Sequence, residues 1–301
     1  MAPEGNMKRI AVIGTGNMGA PMAQNLAAAG YDVRAFDIVR EKMTPLAAHG
    51  ITACSGHAEA MEDADLVLTM LPTAVEVNDV FDRHTVSHAP EGCLVMDSST
   101  IDLEDARSLH GRAGDSGFGM LDAPVSGGTG GAASGTLTFM VGGETAALDS
   151  ARDVLNAMGS RIIHCGGAGM GQAAKMCNNL MLGIQMASVV EGFHLARRVG
   201  LDDAKLYEVA YSSSGNCFSL TAFCPVPDVV PASPANRDYE PGFSTDLMLK
   251  DMEIALNAAE LSGLPLEMAP LAAALYRRFS EAGYGGLDFS AIFRMLEGSG
   301  Q

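Results

Sequence analysis

The sequence predicts an α/β fold: a doubly wound, largely parallel sheet in the first half of the chain, followed by an all-α second half. Over residues 9–166, short β-rich runs alternate with Ala-rich amphipathic stretches, a pattern typical of a sheet covered by helices. After residue 166 the strand signals stop and helical patterns take over. A glycine-rich loop directly follows the first apolar run, as it does in dinucleotide-binding folds.

Seven runs carry the strand signal, and helical stretches such as MGAPMAQNLAAAG (18–30) lie between several of them. The predicted strands are RIAVIG (9–14), DVRAFD (32–37), ADLVLTML (64–71), CLVMDSS (93–99), MLDAPV (120–125), LTFMVGG (137–143) and RIIHCG (161–166).

The second half begins with one long Ala- and Met-rich helix, predicted over residues 171–199. This helix is apolar around most of its middle, so we expect it to be buried and to join the two halves. A Pro-rich loop follows at 224–236. We predict a Rossmann-type NAD-binding domain over 1–165 and an all-α substrate and oligomerisation domain over 166–301. The further predicted helices are 202–213, 244–262, 265–282 and 288–297.

The loop GTGNMG (14–19) has the spacing G-x-G-x-x-G. Glycine is abundant enough to give about 0.5 chance matches to this spacing, so the context must decide. Here the loop ends a predicted strand and opens a predicted helix. Gly14 permits the tight turn, Gly16 lets the backbone approach a pyrophosphate, and Gly19 lets helix and strand pack closely. The N–H groups of this first turn, including those of Asn17 and Met18, are suited to bind phosphate.

The second predicted strand ends in Asp37, 23 positions after Gly14. An acid about 20 residues beyond the loop is expected to bind the adenosine ribose. A carboxylate there accepts hydrogen bonds from the ribose hydroxyls and repels a 2′-phosphate, so the sequence favours NAD over NADP. Two nearby cations, Arg34 and Arg40, could weaken this preference. The alternative is a tight turn beside an unrelated surface aspartate.

Three polar segments follow predicted strands: MLPT (70–73), DSST (97–100) and DAPVSGG (122–128). Ligands of doubly wound sheets gather beyond the carboxyl ends of the strands, so these segments are candidates for the site. The Ser-Gly-Gly of the third could aim a hydroxyl and backbone N–H groups at a carboxylate. For Ser98–Thr100, a helix-capping role in which Ser99 pairs with Asp102 is as plausible as a cofactor contact, and both could hold.

Lys175 is a single charge in an otherwise apolar or small-residue helical stretch, GQAAKMCNN (171–179). Asn178 and Asn179 lie three and four residues on, so they share a helix face with it. A lysine in a low-dielectric site can exchange protons, as the oxidation of an alcohol requires. The alternative is a lysine that extends to the surface, and spacing alone does not separate the two.

The formal net charge of −17 disfavours nucleic acid and anionic membranes as partners. His84 and His88 are four residues apart, but no Glu follows His84 and Pro90 comes soon after, so we expect no metal site there. The N-terminal residues lack a secretory or transit pattern, and the six cysteines show no CxxC pair. The simplest expectation is a cytoplasmic protein.

Seven segments stand in the order found in the β-hydroxyacid dehydrogenases, which the chain resembles over nearly its whole length. Within that family, SSSGNCFSLTAFCPVPDVVPASPAN (212–236) and the following YEPGFSTDLMLKD are most similar to members that oxidise (S)-3-hydroxyisobutyrate to methylmalonate semialdehyde with NAD in valine catabolism. The segments are GTGNMG, MLPT, DSSTID, DAPVSGG, GTLTFMVGG, GQAAKMCNN and LMLKD.

The resemblance implies roles for named residues. Lys175 would be the general acid/base, and Asn179 would orient both the substrate and the lysine. Ser126, Gly127 and Gly128 would anchor the substrate carboxylate. The resemblance also implies dimers or tetramers formed through the helical half. Residues implied at the nicotinamide side or reaching the cofactor are Leu71, Pro72, Thr100 and Lys250.

Two positions depart from the family pattern. Leu103 stands where many relatives have Pro, which we expect to affect only the helix start. Glu76 stands where close relatives often have Asn near the cofactor, which puts one polar cofactor contact in question. Other family substrates remain alternatives: tartronate semialdehyde, L-serine or an imine. A member that binds NAD(P) without catalysis is a more distant alternative, which the presence of Lys175 disfavours.

Overall fold

The computed structural model describes residues 7–297 of the chain. The chain divides into two compact units, of which the first ends at Lys175 and the second begins at Met176. Each unit is described by itself below.

The first unit is built on one twisted sheet with nine strands within the described residues. The strands are β1 (Arg9–Ile13), β2 (Asp32–Phe36), β3 (Thr52–Ala53), β4 (Leu66–Thr69), β5 (Leu94–Asp97), β6 (Gly119–Asp122), β7 (Val125–Ser126), β8 (Leu137–Gly143) and β9 (Gly159–Gly166).

The first six strands lie in the order β3-β2-β1-β4-β5-β6 and are all parallel. This is the order of a dinucleotide-binding doubly wound sheet. Successive strands are added outward on one side of β1 up to β3 and then on its other side from β4 onward, so the strand order reverses between β1 and β4. Beyond β6, strand β8 runs antiparallel to β6 and β7, while β9 pairs with β8 in parallel. The α/β prediction is confirmed, with an antiparallel addition at one edge.

Helices connect the strands of the first unit. They are α1 (Gly19–Ala28), α2 (His57–Met61), α3 (Ala74–Val80), α4 (Val86–His88), α5 (Leu103–Asp115), α6 (Gly128–Ser134) and α7 (Thr145–Met158). Short 3₁₀ turns cover Arg40–Lys42 and Thr44–His49, and a π-helical turn covers Phe81–Thr85.

Both faces of the sheet are buried, as expected of parallel strands covered by helices on both sides. Along β1, Ile10 and Val12 join one core cluster, while Ala11 and Ile13 join another. Alternate residues of β4 and β5 divide in the same way. The sheet is therefore a rigid support, and its strand ends fix the positions of the loops that follow them.

The second unit is helical, as predicted. The longest helix begins in the first unit and continues into the second. The helices are α8 (Met170–Val199), α9 (Asp203–Ser212), α10 (Phe218–Thr221), α11 (Thr245–Leu261), α12 (Met268–Phe279) and α13 (Arg294–Glu297).

A core of aliphatic and aromatic side chains holds the second unit together, with Phe193, Met252, Tyr276 and Phe289 almost fully buried. The predicted helix 288–297 is wrong in type, because Phe289–Phe293 forms a 3₁₀ helix and only Arg294–Glu297 is α-helical. The predicted helix 265–282 ends earlier, at Phe279, and a π-helical turn follows over Ser280–Tyr284. Among residues 7–297, no helix is both long and apolar enough to span a bilayer.

Candidate active site

The glycine loop closes the end of β1 against the end of β4. Gly14 has a φ of +95°, and a Cβ there would lie 2.4 Å from the carbonyl oxygen of Met70. A Cβ on Gly19 would lie 2.0 Å from the carbonyl oxygen of Gly14. Both positions require glycine, because any side chain would overlap backbone atoms.

Gly16 differs from these two glycines. A Cβ built on it meets no described atom within 4 Å, so the packing of the protein does not require glycine there. Gly16 lies three residues before the first residue of α1, whose first turn carries no acidic residue. The N–H groups and the dipole of a helix make such a start favourable for a phosphate. The loop therefore fits a bound diphosphate.

Asp37 follows the last residue of β2 and is only 8% exposed. Its Oδ2 accepts from the backbone N–H of Thr15 at 2.8 Å, inside the glycine loop. Its Oδ1 accepts from the N–H of Val39 at 2.9 Å. A carboxylate oxygen can accept two hydrogen bonds, so Oδ1 keeps capacity for a ribose hydroxyl. Asp37 thus ties the glycine loop to the second strand, a contact that sequence spacing did not reveal.

Three polar residues stand side by side at the carboxyl ends of neighbouring strands. Thr69 of β4 is in register with Asp97 of β5, which is in register with Asp122 of β6. Asp97 Oδ1 accepts from Thr69 Oγ1 at 2.7 Å and from Ser99 Oγ at 2.6 Å. Burial raises the pKa of Asp97, and these hydrogen bonds oppose the shift.

Ser99 joins the loops after β4 and β5. Its hydroxyl donates to Asp97 and accepts from the N–H of Leu71 at 2.9 Å. The capping alternative for Ser99 is wrong, because α5 begins at Leu103 and its N-cap is Asp102, which accepts from the N–H of Asp105. Leu103 occupies the first helical position, where Pro is common; this agrees with the expectation that its departure concerns the helix start.

The DAPVSGG segment forms β7 and the start of α6. Ser126 is half-buried in β7. Gly127 and Gly128 have φ values of +131° and +61°, a left-handed backbone that disfavours any side chain. At Gly127 a Cβ would also lie 3.2 Å from a methyl carbon of Leu137. The two glycines turn the chain directly from β7 into α6.

Lys175 lies in the second turn of α8 and is 8% exposed. Its Nζ donates to the carbonyl oxygen of Val125 at 2.9 Å. Val125 immediately precedes Ser126, so the amine is held beside the segment predicted to bind a carboxylate. The alternative of a lysine that extends to the surface is wrong.

Asn179 and Lys250 belong to the second unit, where Asp251 links them. Asn179 is 2% exposed, and its Nδ2 donates to Asp251 Oδ2 at 2.5 Å. Lys250 Nζ lies 3.8 Å from Asp251 Oδ1. Asn179 Oδ1 accepts from Asn178 Nδ2 at 3.0 Å. The amide of Asn179 therefore has a fixed orientation, set by a buried carboxylate that the sequence analysis did not single out.

The other predicted residues lie at the ends of β1, β4 and β5. Asn17 is exposed and Met18 half-buried in the glycine loop, while Leu71 and Thr100 are half-buried and Pro72 is exposed. Glu76 lies in the first turn of α3, where its carboxylate accepts from the hydroxyl of the N-cap residue Thr73. The same hydroxyl accepts from the N–H of Val75, so Glu76 has a local structural role at the start of α3.

Asp122 is the clearest residue that sequence reasoning missed. It is 1% exposed and accepts from His110 Nε2 at 2.8 Å. It also accepts from the N–H groups of Gly169 and Gln172, each at 2.9 Å. These are orphan donors at the start of α8, so Asp122 anchors the helix that carries Lys175. Its place at a strand end was visible in the sequence, but its partners about 50 residues away were not.

The described part of the chain holds no group of three His, Cys, Asp or Glu side chains that could bind a metal ion. The strand ends of the first unit instead present glycine backbone, hydroxyls, buried carboxylates and one buried amine. This donor set suits an organic cofactor with phosphates and a small polar substrate.

Two family models together match nearly the whole chain. Residues 9–167 match the NAD binding domain of 6-phosphogluconate dehydrogenase. Residues 169–296 match a model described as NAD-binding of NADP-dependent 3-hydroxyisobutyrate dehydrogenase.

Individual relatives agree with these models. The mitochondrial 3-hydroxyisobutyrate dehydrogenase of Drosophila melanogaster is 42% identical over 99% of this chain and 92% of its own length. An NAD-dependent L-serine dehydrogenase of Pseudomonas aeruginosa is 43% identical over 97% of this chain and 98% of its own. A solved structure of the Mycobacterium tuberculosis 3-hydroxyisobutyrate dehydrogenase with L-serine is 46% identical, covers 96% of this chain and 99% of that one, and has a TM-score of 0.91.

Proposed function

The chain belongs to the β-hydroxyacid dehydrogenase family, and on this premise we propose that it oxidises 3-hydroxyisobutyrate to methylmalonate semialdehyde, a step of valine catabolism. The enzyme is an NAD-dependent oxidoreductase. The observation that carries the proposal is the buried amine of Lys175, which donates to the carbonyl oxygen of Val125 directly before the Ser126–Gly128 turn.

Residues 1–165 are proposed to hold the cofactor. The backbone N–H groups of Gly16, Asn17 and Met18, directly before α1, bind the diphosphate, and Asp37 binds the adenosine ribose. An anionic group there repels a 2′-phosphate, which supports NAD over NADP. NAD, when bound, supplies the two-electron acceptor for the oxidation. Leu71, Pro72 and Thr100 lie on the proposed nicotinamide side, and Lys250 is proposed to reach the cofactor.

The proposed substrate carries a carboxylate and a hydroxyl. Ser126, Gly127 and Gly128 bind the carboxylate through a hydroxyl and backbone N–H groups. Burial disfavours the charged form of an amine, so Lys175 can act as the base. As the carbinol C–H bond breaks, the hydroxyl proton passes to Lys175 Nζ, and the hydroxyl oxygen becomes the aldehyde oxygen. Asn179, one helical turn further on, orients the substrate and the lysine.

The test replaces Lys175 by Met, which keeps the length of the side chain and removes the amine. General acid/base catalysis contributes about 10²- to 10⁴-fold, so turnover should fall by at least the lower factor while NAD affinity is kept. Lys205→Met is the matched control, because Lys205 is exposed and pairs locally with Glu208. Near wild-type turnover by Lys175→Met would refute the assignment.

L-serine is the second candidate substrate, because one relative is named for it and a similar solved structure contains it. The two candidates differ at C2, where 3-hydroxyisobutyrate has a methyl group and L-serine an ammonium. We propose to compare kcat/KM for 3-hydroxyisobutyrate, L-serine and glycerate, each with NAD and with NADP. A higher value for L-serine would overturn the substrate and keep the family chemistry.

We also propose that the protein assembles as a homodimer or homotetramer through residues 166–301. A cytoplasmic location is a separate part of the proposal. Four exposed apolar side chains of the second unit support assembly: Leu261, Leu264, Met268 and Leu271. Light scattering coupled to gel filtration measures the mass in solution, and a monomer would contradict this part alone.

A further inference from the structure

We propose that Gln172 is a positioning residue that fixes the backbone on both sides of Thr100 relative to the helix turn that carries Lys175. The inference rests on the proposed function, because it deepens the account of the same proton-transfer site. No step of the proposed chemistry above uses Gln172.

The side-chain amide of Gln172 spans one residue of the loop after β5. Its Nε2 donates to the carbonyl oxygen of Ser99 at 2.7 Å, and its Oε1 accepts from the N–H of Ile101 at 3.3 Å. These two groups belong to the peptide units that flank Thr100. Gln172 is 2% exposed, so water does not compete for these bonds. Thr100 is thus held from both sides by one side chain.

The other end of Gln172 is fixed as well. Its backbone N–H donates to Asp122 Oδ2 at 2.9 Å, at the buried end of β6. Lys175 lies three residues further along α8, on the neighbouring turn of the same face. Gln172 therefore connects the loop after β5 and the end of β6 to the turn that leads to the proposed base.

The connection extends to the loop after β4. Ser99, whose carbonyl oxygen accepts from Gln172, also accepts through its hydroxyl from the N–H of Leu71. The backbone at Leu71, the backbone at Thr100 and the start of α8 are thus members of one hydrogen-bonded set. A misplacement of about 1 Å between reacting groups can cost about 10²-fold in rate.

An amide of this length meets both demands at any pH, because one end donates and the other accepts. Methionine has a similar length but leaves the Ser99 carbonyl and the Ile101 N–H without their partner. Glutamate still accepts from Ile101, but it turns an unprotonated oxygen toward the Ser99 carbonyl. When that carboxyl is protonated, the missing donor is restored.

The experiment uses the full-length enzyme with Gln172→Met and Gln172→Glu. The control is Asn25→Leu, which removes a partly buried amide of the first unit that also donates to a backbone carbonyl, that of Ala132. We measure NAD affinity by titration, and the rate of NADH formation in a single turnover at saturating NAD, with the preferred substrate of the panel above. All variants are compared at temperatures where circular dichroism shows them folded.

For Gln172→Met, the single-turnover rate should fall roughly 10- to 100-fold relative to Asn25→Leu, with the Kd for NAD within about threefold. For Gln172→Glu, the rate relative to wild type at the same pH should rise as pH falls, because protonation restores the donor to Ser99. If Gln172→Met does not fold, Gln172→Glu carries the test, since it keeps the bond to Ile101.

A Gln172→Met rate within about twofold of the control would overturn the inference. A loss confined to NAD affinity would overturn it as well, because Gln172 would then serve only the cofactor loop. The Lys175→Met variant separates the two proposals. If Lys175→Met is slow while Gln172→Met is fast, only the inference fails; if Lys175→Met is fast, the proposed function fails.

Discussion

Gly16→Ala isolates the contribution of the glycine loop to cofactor binding from its contribution to the fold. A Cβ at Gly16 meets no described atom within 4 Å, and the residue is not in the left-handed region. The added methyl group therefore causes no strain in the free protein. Gly-to-Ala changes at such positions stabilise by about 0.4–1 kcal/mol through the unfolded chain, so we expect thermal stability to be kept or slightly raised.

The same substitution should strongly weaken the binding of NAD, although it leaves stability unchanged or slightly raised. The methyl group would fill the space in which the backbone approaches the diphosphate, so the shortest N–H to phosphate contact would be lost. A hydrogen bond to a charged group is worth about 1.5–3 kcal/mol. Since about 1.4 kcal/mol is tenfold in affinity, the Kd for NAD should rise roughly 10- to 150-fold.

NADH fluorescence titration measures the affinity, and thermal unfolding of the same samples measures stability. Gly56→Ala is the matched control for binding, because its Cβ also meets no described atom and its φ of −170° is ordinary extended backbone; it should leave the Kd for NAD unchanged. Gly14→Ala should instead unfold at lower temperature, since its Cβ would lie 2.4 Å from the carbonyl oxygen of Met70. An unchanged Kd in folded Gly16→Ala would refute the proposed position of the diphosphate.

Three further predictions concern buried titratable groups. Burial raises the pKa of Asp97 above its ordinary 3.8, so the folded protein keeps the proton of this carboxyl to a higher pH than the unfolded chain does. The free energy of unfolding of wild type should therefore fall as pH rises above 3.8. In urea unfolding, Asp97→Asn should gain stability relative to wild type as pH rises, and a constant difference would contradict this. Burial and the neighbouring His84 lower the pKa of His57 from 6.5 to about 4. The free energy of unfolding of wild type should therefore fall by roughly 2 kcal/mol as pH falls from 6.5 to 4, after allowance for solvent screening. His57→Phe should not show this loss. Burial raises the pKa of Cys93 to about 12. Iodoacetamide at pH 8 should therefore label exposed Cys177 and spare Cys93 until the protein unfolds. Mass spectrometry of the peptides measures the labelling, and equal labelling of the two cysteines in the folded protein would contradict the burial of Cys93.

The strands of the first half were predictable because buried parallel strands have a recognisable sequence pattern, a short apolar run between turn residues. All seven predicted runs overlap a strand. The missed strand Thr52–Ala53 has two exposed residues, so it carries no hydrophobic signal. The run MLDAPV contains parts of two strands, since β6 ends at Asp122 and β7 begins at Val125. Their pairing depends on β8, which local sequence does not show.

The helical half was predictable in position more than in number or helix type, because the short helix α10 was not predicted. The apolar periodicity of 288–297 is real, since Phe289, Ile292 and Phe293 are buried. Hydrogen bonds from Gly242, Phe243 and Ser290 to buried Asp288 fix the start of this segment as a tighter turn. Such tertiary partners override helix propensity.

The sequence by itself determined the chemistry available to this protein. It showed a glycine loop after the first strand, an acid at the end of the second, and one lysine among small and apolar residues. These features are local, because spacing along a strand or a helix turn follows from covalent geometry. The tertiary structure alone decided the partners: Asp37 with Thr15, Lys175 with Val125, and Gln172 with the backbone around Thr100. Apart from Asp37 and Thr15, these partners are 50 or more residues apart in sequence, and only the packing of strand ends and helix starts brings such groups together.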